Sequence, residues 1–130
     1  MLSMPEAALV FAGGALGSAV RYASLRLGTR FGMHASLALA AINLAGCVLA
    51  GAVATSFMRT GFGELDADLA RALLLGGMLG GFTTFSAVSL EVAAAARGGQ
   101  RRRILIETVA SVVLAAPMAR LGMLLAGASA

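Results

Sequence analysis

The residues best suited to unusual chemistry lie in the segment LLLGGMLGGFTTFSAVSLE (73–91), where Gly76, Gly77, Gly80 and Gly81 precede Phe82, Thr83, Thr84, Phe85 and Ser86. Each glycine costs a helix interior about 1 kcal/mol relative to alanine, so a sequence selected for a plain helix rarely gathers four. Two readings follow. The chain breaks here, and the carbonyls that leave the helical ladder take a partner, for which a bound cation is well suited. Alternatively, the small residues form a tight helix-crossing surface. The hydroxyl-rich run after the glycines suggests the break.

Other polar residues sit singly in apolar surroundings. Asn43 lies in AAINLAGCVLAG and shares a helical face with Gly46 and Ala50. Its amide offers two N–H donors, suited either to an anion or to a neighbouring helix. Gly14, Gly17 and Arg21 share a face too. That face is either a close helix contact with a snorkelling arginine or an arginine that draws an anion into a wet mouth. Thr108 and Ser111, three apart, either line a polar track or bond back to their own helix. Glu107 and Arg120 can each reach an interface and take no role, and Pro117 is expected to bend its helix. Cys47 lies alone in an apolar run and reads as a packing residue, and His34 falls in a loop. No metal-ligand cluster, phosphate loop or nucleophile–base set is present in the sequence, which argues against an enzyme.

The elements that must position these residues follow from composition. Of 130 residues, 59% are hydrophobic and 12% charged, with a mean hydropathy of +0.90. Charged residues make up about 25% of an ordinary soluble domain, so this chain belongs in a membrane. Four spans are expected, at about 6–27, 35–57, 69–96 and 104–128, forming one all-α transmembrane domain. At ~1.5 Å per residue each crosses a hydrocarbon core of roughly 30 Å. The N-terminal MLSMPEAALVF lacks a basic region ahead of its apolar stretch, so no cleavable signal is evident.

Every basic residue other than His34 is an arginine. Arg21, Arg26, Arg30, Arg97, Arg101, Arg102 and Arg103 flank the first and third loops, whereas Arg59, Arg71 and Arg120 share the other side with Glu6, Glu64, Asp66 and Asp68. The positive-inside rule therefore places the first and third loops in the cytoplasm and both termini outside.

The blocks GGALGSAVRY, INLAGCVLAG and GGFTTFSAVSLE, in this order along nearly the whole chain, closely resemble the bacterial fluoride channels called Fluc or CrcB. The resemblance implies an antiparallel dimer of four-helix subunits in the bacterial inner membrane, with fluoride pores along the dimer interface. It implies a structural sodium ion at the centre, held by backbone carbonyls of Gly80 and Thr83 at a break in the third span. The pore asparagine matches Asn43, the first pore phenylalanine Phe85, the threonine and serine of the motif Thr84 and Ser86, and the arginine of the first span Arg21. Fluoride is strongly hydrated, so a dry pore must replace its water. Asn43, Thr84, Ser86, Thr108 and Ser111 would do so as neutral donors, with ring edges of Phe85 and Phe82 adding a softer field.

Val88 stands where the family usually has a second pore phenylalanine, and Ile104 where a tyrosine is common. The antiparallel dimer forms either with a second copy of the chain or with a homologous subunit of reversed orientation, and these departures together with the arginine bias suggest the latter. Competing readings are a small multidrug exporter and a non-transporting membrane subunit. The first needs a membrane-embedded carboxylate, whereas Glu6, Glu91 and Glu107 all lie near span ends.

Overall fold

The computed structural model describes residues 3–59, 64–83 and 101–128, with the isolated positions Ser89, Ala93 and Gly99. Every element among these residues is helical. Helix α1 spans Met4–Arg30, α2 Ala35–Arg59 and α3 Glu64–Arg71; a π-helical segment, Ala72–Leu79, leads into the short α4, Gly80–Phe82, and α5 spans Arg101–Ala128. Three of these, α1, α2 and α5, are long and apolar enough to cross a membrane.

Local chemistry accounts for the ends of α1. Ser3 caps it reciprocally with Glu6: the Ser3 N–H donates to Glu6 Oε2 at 2.6 Å and the Glu6 N–H to Ser3 Oγ at 3.4 Å. Pro5 occupies the first turn, where its missing N–H costs nothing. At the other end Gly32 takes φ +84°, and the chain turns so that the Met33 N–H donates to the Gly28 carbonyl at 3.1 Å. The far end of α5 is closed from another helix. Arg59, the last residue of α2, donates at 3.0 Å to the carbonyls of both Ala126 and Gly127, which lie in the last turn of α5 and lack helical partners. Pro117 lies inside α5, whose helical winding continues through it.

The helices form two parallel pairs. Along α1, Val10, Gly13 and Gly17 meet successively Gly77, Gly77 with Met78, and Met78 with Phe82, so the π segment and α4 run in the direction of α1. Along α2, Ser36 and Ala40 share a cavity with Ile104 and Ser111, Gly51 meets Ala119 and Met123, and Arg59 reaches Ala126 and Gly127, so α5 runs in the direction of α2. Large apolar side chains point away from both contacts: Phe11 is 81% exposed on α1 and Val113 66% on α5. With no water-exposed polar face opposite them, such surfaces suit lipid or another helix.

Candidate functional site

The glycine-rich segment shows how these residues use their missing side chains. Gly80 donates its N–H to the Leu75 carbonyl, five residues back, as well as to Gly77, the wide winding of a π-helix. Such windings are rare and frequent at functional sites. Here the widened turns lie directly against α1. A Cβ on Gly77 would stand 2.8 Å from the Val10 carbonyl, and one on Gly81 would meet the Gly14 backbone, its Cα at 2.9 Å. The glycines therefore do make a tight crossing surface. The helix also ends beside them: Phe82 is the last helical residue, and Thr83 is extended at φ −96°, ψ 113°. The backbone contact with α1 bears out the crossing surface; the expected break falls at residues 84–88, which lie outside the described residues.

Around that point several of the anticipated residues converge. The Thr83 N–H and Oγ1 both donate to the Leu79 carbonyl, at 2.9 and 2.8 Å. Ser18 Oγ donates to the Gly81 carbonyl at 3.5 Å. From α2, Gly46 faces Thr83 Cγ2 and the Phe82 ring, whose Cδ1 would lie 3.3 Å from a Cβ placed there. Asn43 is one turn earlier on that face, and its Oδ1 is buried with no hydrogen-bond partner among the described residues. A half-turn of the amide exchanges this oxygen for the N–H2 group, which carries two donors. Arg21 is half-buried on α1, one turn beyond Gly17, which itself reaches the Phe82 N–H. Gly80 is exposed. Thr84, Phe85, Ser86 and Val88, together with the rest of the expected third span to residue 96, lie outside the described residues.

Thr108 and Ser111 come together elsewhere, between α2 and α5. Ser111 is buried, 9% exposed, and its hydroxyl donates back to the Thr108 carbonyl at 2.8 Å, the commoner use of a mid-helix serine. Both residues nevertheless line a small cavity with Ser36, Leu39, Ala40, Ile104 and Glu107, with room for about one water. Ile104 packs here as a buried apolar wall.

Glu107 is held on two sides: Arg103 Nε donates to its Oε1 at 2.8 Å, its Oε2 is buried, and the residue also lines an open cleft with Arg102, Arg103 and Ile106. Ser18 and Ser36 were also passed over. A signal existed for Ser36, which is two turns from Asn43 on the same face, and for Glu107, which stands one turn from Ser111. Nothing in the order of residues points to Ser18 except its place between Gly17 and Arg21.

Comparison with known proteins identifies relatives of the chain. Residues 8–123 match the family profile described as CrcB-like protein, Camphor Resistance (CrcB). A fluoride-specific ion channel FluC of Caulobacter sp. (strain K31) is 38% identical over 127 residues, covering 95% of each chain. The FluC of Rhizobium leguminosarum bv. trifolii is 40% identical over 127 residues, covering 93% of this chain and 97% of the relative. FluC 2 of Nitrobacter hamburgensis is 38% identical over 108 residues, covering 82% and 85%. With its long apolar helices and relatives matched along most of their length, this multi-pass membrane protein belongs to the CrcB family.

Proposed function

We propose that this chain is a subunit of a fluoride-selective channel that lowers cytoplasmic fluoride by passive efflux. The observation that carries the reading is the contact of α2 at Gly46, one turn from the buried and unpartnered amide oxygen of Asn43, with Phe82 and Thr83 at the end of a glycine-packed helix. The names of the relatives, fluoride-specific ion channels rather than enzymes, point the same way.

Fluoride entering a dry passage loses water that donated hydrogen bonds to it. The Asn43 amide, the hydroxyls of Thr84, Ser86, Thr108 and Ser111, and the ring edges of Phe82 and Phe85 would replace that water without a full positive charge, so the ion is held and released. Arg21 would concentrate the anion at a mouth. A negative-inside potential favours its exit by about 2.3 kcal/mol per 100 mV, so no other energy source is required.

A structural sodium ion fits the end of the third helix. Where α4 ends at Phe82 and Thr83 turns extended, carbonyls released from the helical ladder would be uncharged oxygens of the kind that suits a hard monovalent cation. Gly80 and Thr83 would hold it through their backbone carbonyls, and its charge would raise the local potential for an anion.

The assembly we propose is an antiparallel dimer whose interface carries the pores. The parallel course of α1 and the α3–π–α4 rod is what four alternating passes require of the first and third. With the arginine-rich first and third loops in the cytoplasm, the partner is a homologous subunit of opposite orientation. The test is fluoride efflux from liposomes, read with a fluoride electrode. Substituting Asn43→Ala or Phe85→Ile is expected to slow efflux at least about tenfold, as loss of a positioned donor does elsewhere. Undiminished flow in both variants removes these site assignments. Robust efflux from the chain reconstituted alone argues against an obligatory partner.

A further inference from the structure

The cavity between α2 and α5 holds a carboxylate where the proposed function needs an anion path. Thr108 and Ser111 line it, and so does Glu107. Arg103 Nε donates to Oε1, Oε2 is buried, and the Ser36 hydroxyl on the cavity wall acts on the carboxylate as a second donor. The Glu107 side chain is 17% exposed, against 40% for Arg103, so the negative member of the pair is the more deeply placed.

An ionised carboxylate accepts hydrogen bonds and donates none. Its partners in the cavity are therefore donors, the Ser36 hydroxyl and a water, for which there is room for about one. Fluoride in the same place would meet an acceptor and a like charge. Arg103, one turn before Glu107, supplies the opposing charge from the arginine-rich end. The pair thus brackets the hydroxyls with a negative charge nearer and a positive charge farther out.

We propose that Glu107 sets the charge that fluoride meets at the Thr108–Ser111 hydroxyls, restraining flux there, with Arg103 as its counter-charge. This rests on the reading of the chain as a fluoride channel. It assigns opposite effects to two substitutions that break the same ion pair. Glu107→Gln keeps the side-chain shape, removes the repulsion and leaves Arg103 unopposed, so fluoride passes faster. Arg103→Gln leaves the carboxylate bare, so fluoride passes more slowly. A pair with a purely structural role predicts the same direction for both.

The experiment uses the source organism, so that any partner subunit is present. Cells carrying chromosomal Glu107→Gln, Arg103→Gln or Arg103→Lys, and cells lacking the gene, are loaded with fluoride, and its release is followed by electrode with protein levels matched by immunoblot. Glu107→Gln is expected to speed release and Arg103→Gln to slow it, each by roughly tenfold, the scale of one unit charge a few ångströms away at an effective dielectric near 20 with partial compensation. Arg103→Lys, which keeps the charge, should stay near wild type. Equal rates for all variants, or slowing by both neutral variants, overturns the proposal while the gene-deleted cells still retain fluoride. Should Glu107→Gln fail to accumulate, Arg103→Gln against Arg103→Lys decides, because equal rates for these two overturn it. Gene-deleted cells that release fluoride like wild type overturn the channel reading, and this proposal with it.

Discussion

The two parallel helix pairs are held by different means. Where α1 meets the π segment and α4, backbone lies against backbone: Gly13, Gly17, Gly77 and Gly81 each stand where a Cβ would press on main-chain atoms of the other strand of helix. Where α2 meets α5, such contact is confined to one end, at Gly51 and Gly122. The opposite end is spread around a polar cavity with Ser36, Glu107, Thr108 and Ser111 on its walls. The first pair is held by backbone contact as far as it is described, to Thr83. The second is a clamp closed by Arg59 at one end, with a cavity for about one water toward the other. In a membrane, where burying apolar surface gains little between helices, close backbone approach is the stronger adhesive, and polar space is kept where an ion or water must be accommodated.

The comparison is broken most directly by filling the first contact. Gly17→Val places side-chain atoms against the Met78 carbonyl and within 2.9 Å of the Phe82 nitrogen, neither of which can yield as a flexible side chain would. We expect destabilisation of about 3 kcal/mol, the upper part of the range for overpacking, seen as a lower Tm and loss of monodisperse protein in detergent. A variant as stable as wild type would mean that the pair is not held by backbone contact.

The clamp is tested at its closed end. Arg59→Gln removes a charged donor from the Ala126 and Gly127 carbonyls, at a cost of about 1 kcal/mol because the guanidinium is exposed. Hydrogen exchange should rise in the last turn of α5 and remain unchanged along α1.

The smallest effect sharpens the comparison within a single turn. A Cβ on Gly14 has only the Gly77 carbonyl near it, at 4.0 Å. Gly14→Ala is therefore expected to be neutral, or to stabilise by a fraction of the roughly 1 kcal/mol that alanine gains over glycine in a helix. Thermal unfolding of Gly14→Ala beside Gly17→Ala measures the contrast, and equal losses would show that exact approach does not matter.

Much of the architecture was legible before any coordinates. Uncharged apolar runs marked α1, α2 and α5 as long membrane-capable helices, since hydropathy and helix length are local properties. The blocks around Gly14, Asn43 and Thr83 carried the family. The density of glycine after Leu75 announced that the third helix would not be ordinary. The choice between a crossing surface and an ending helix could not be made from the sequence, because it depends on what stands opposite each glycine. Gly14 and Gly17, three residues apart and chemically identical, differ only in what α4 and the π segment place against them.

What the amino-acid sequence determined by itself was therefore the three long apolar helices, the charge partition along the chain and the capping of α1 by Ser3 and Glu6. Each depends on residues within a few positions of one another. Tertiary structure alone decided that the glycine segment winds as a π-helix against α1 and leaves the helix at Thr83. It also decided that Glu107 turns inward to share a cavity with Ser36 and Ser111. Those outcomes depend on distances between helices, and a carboxylate near a span end carries no local mark of whether the neighbouring helix will bury it.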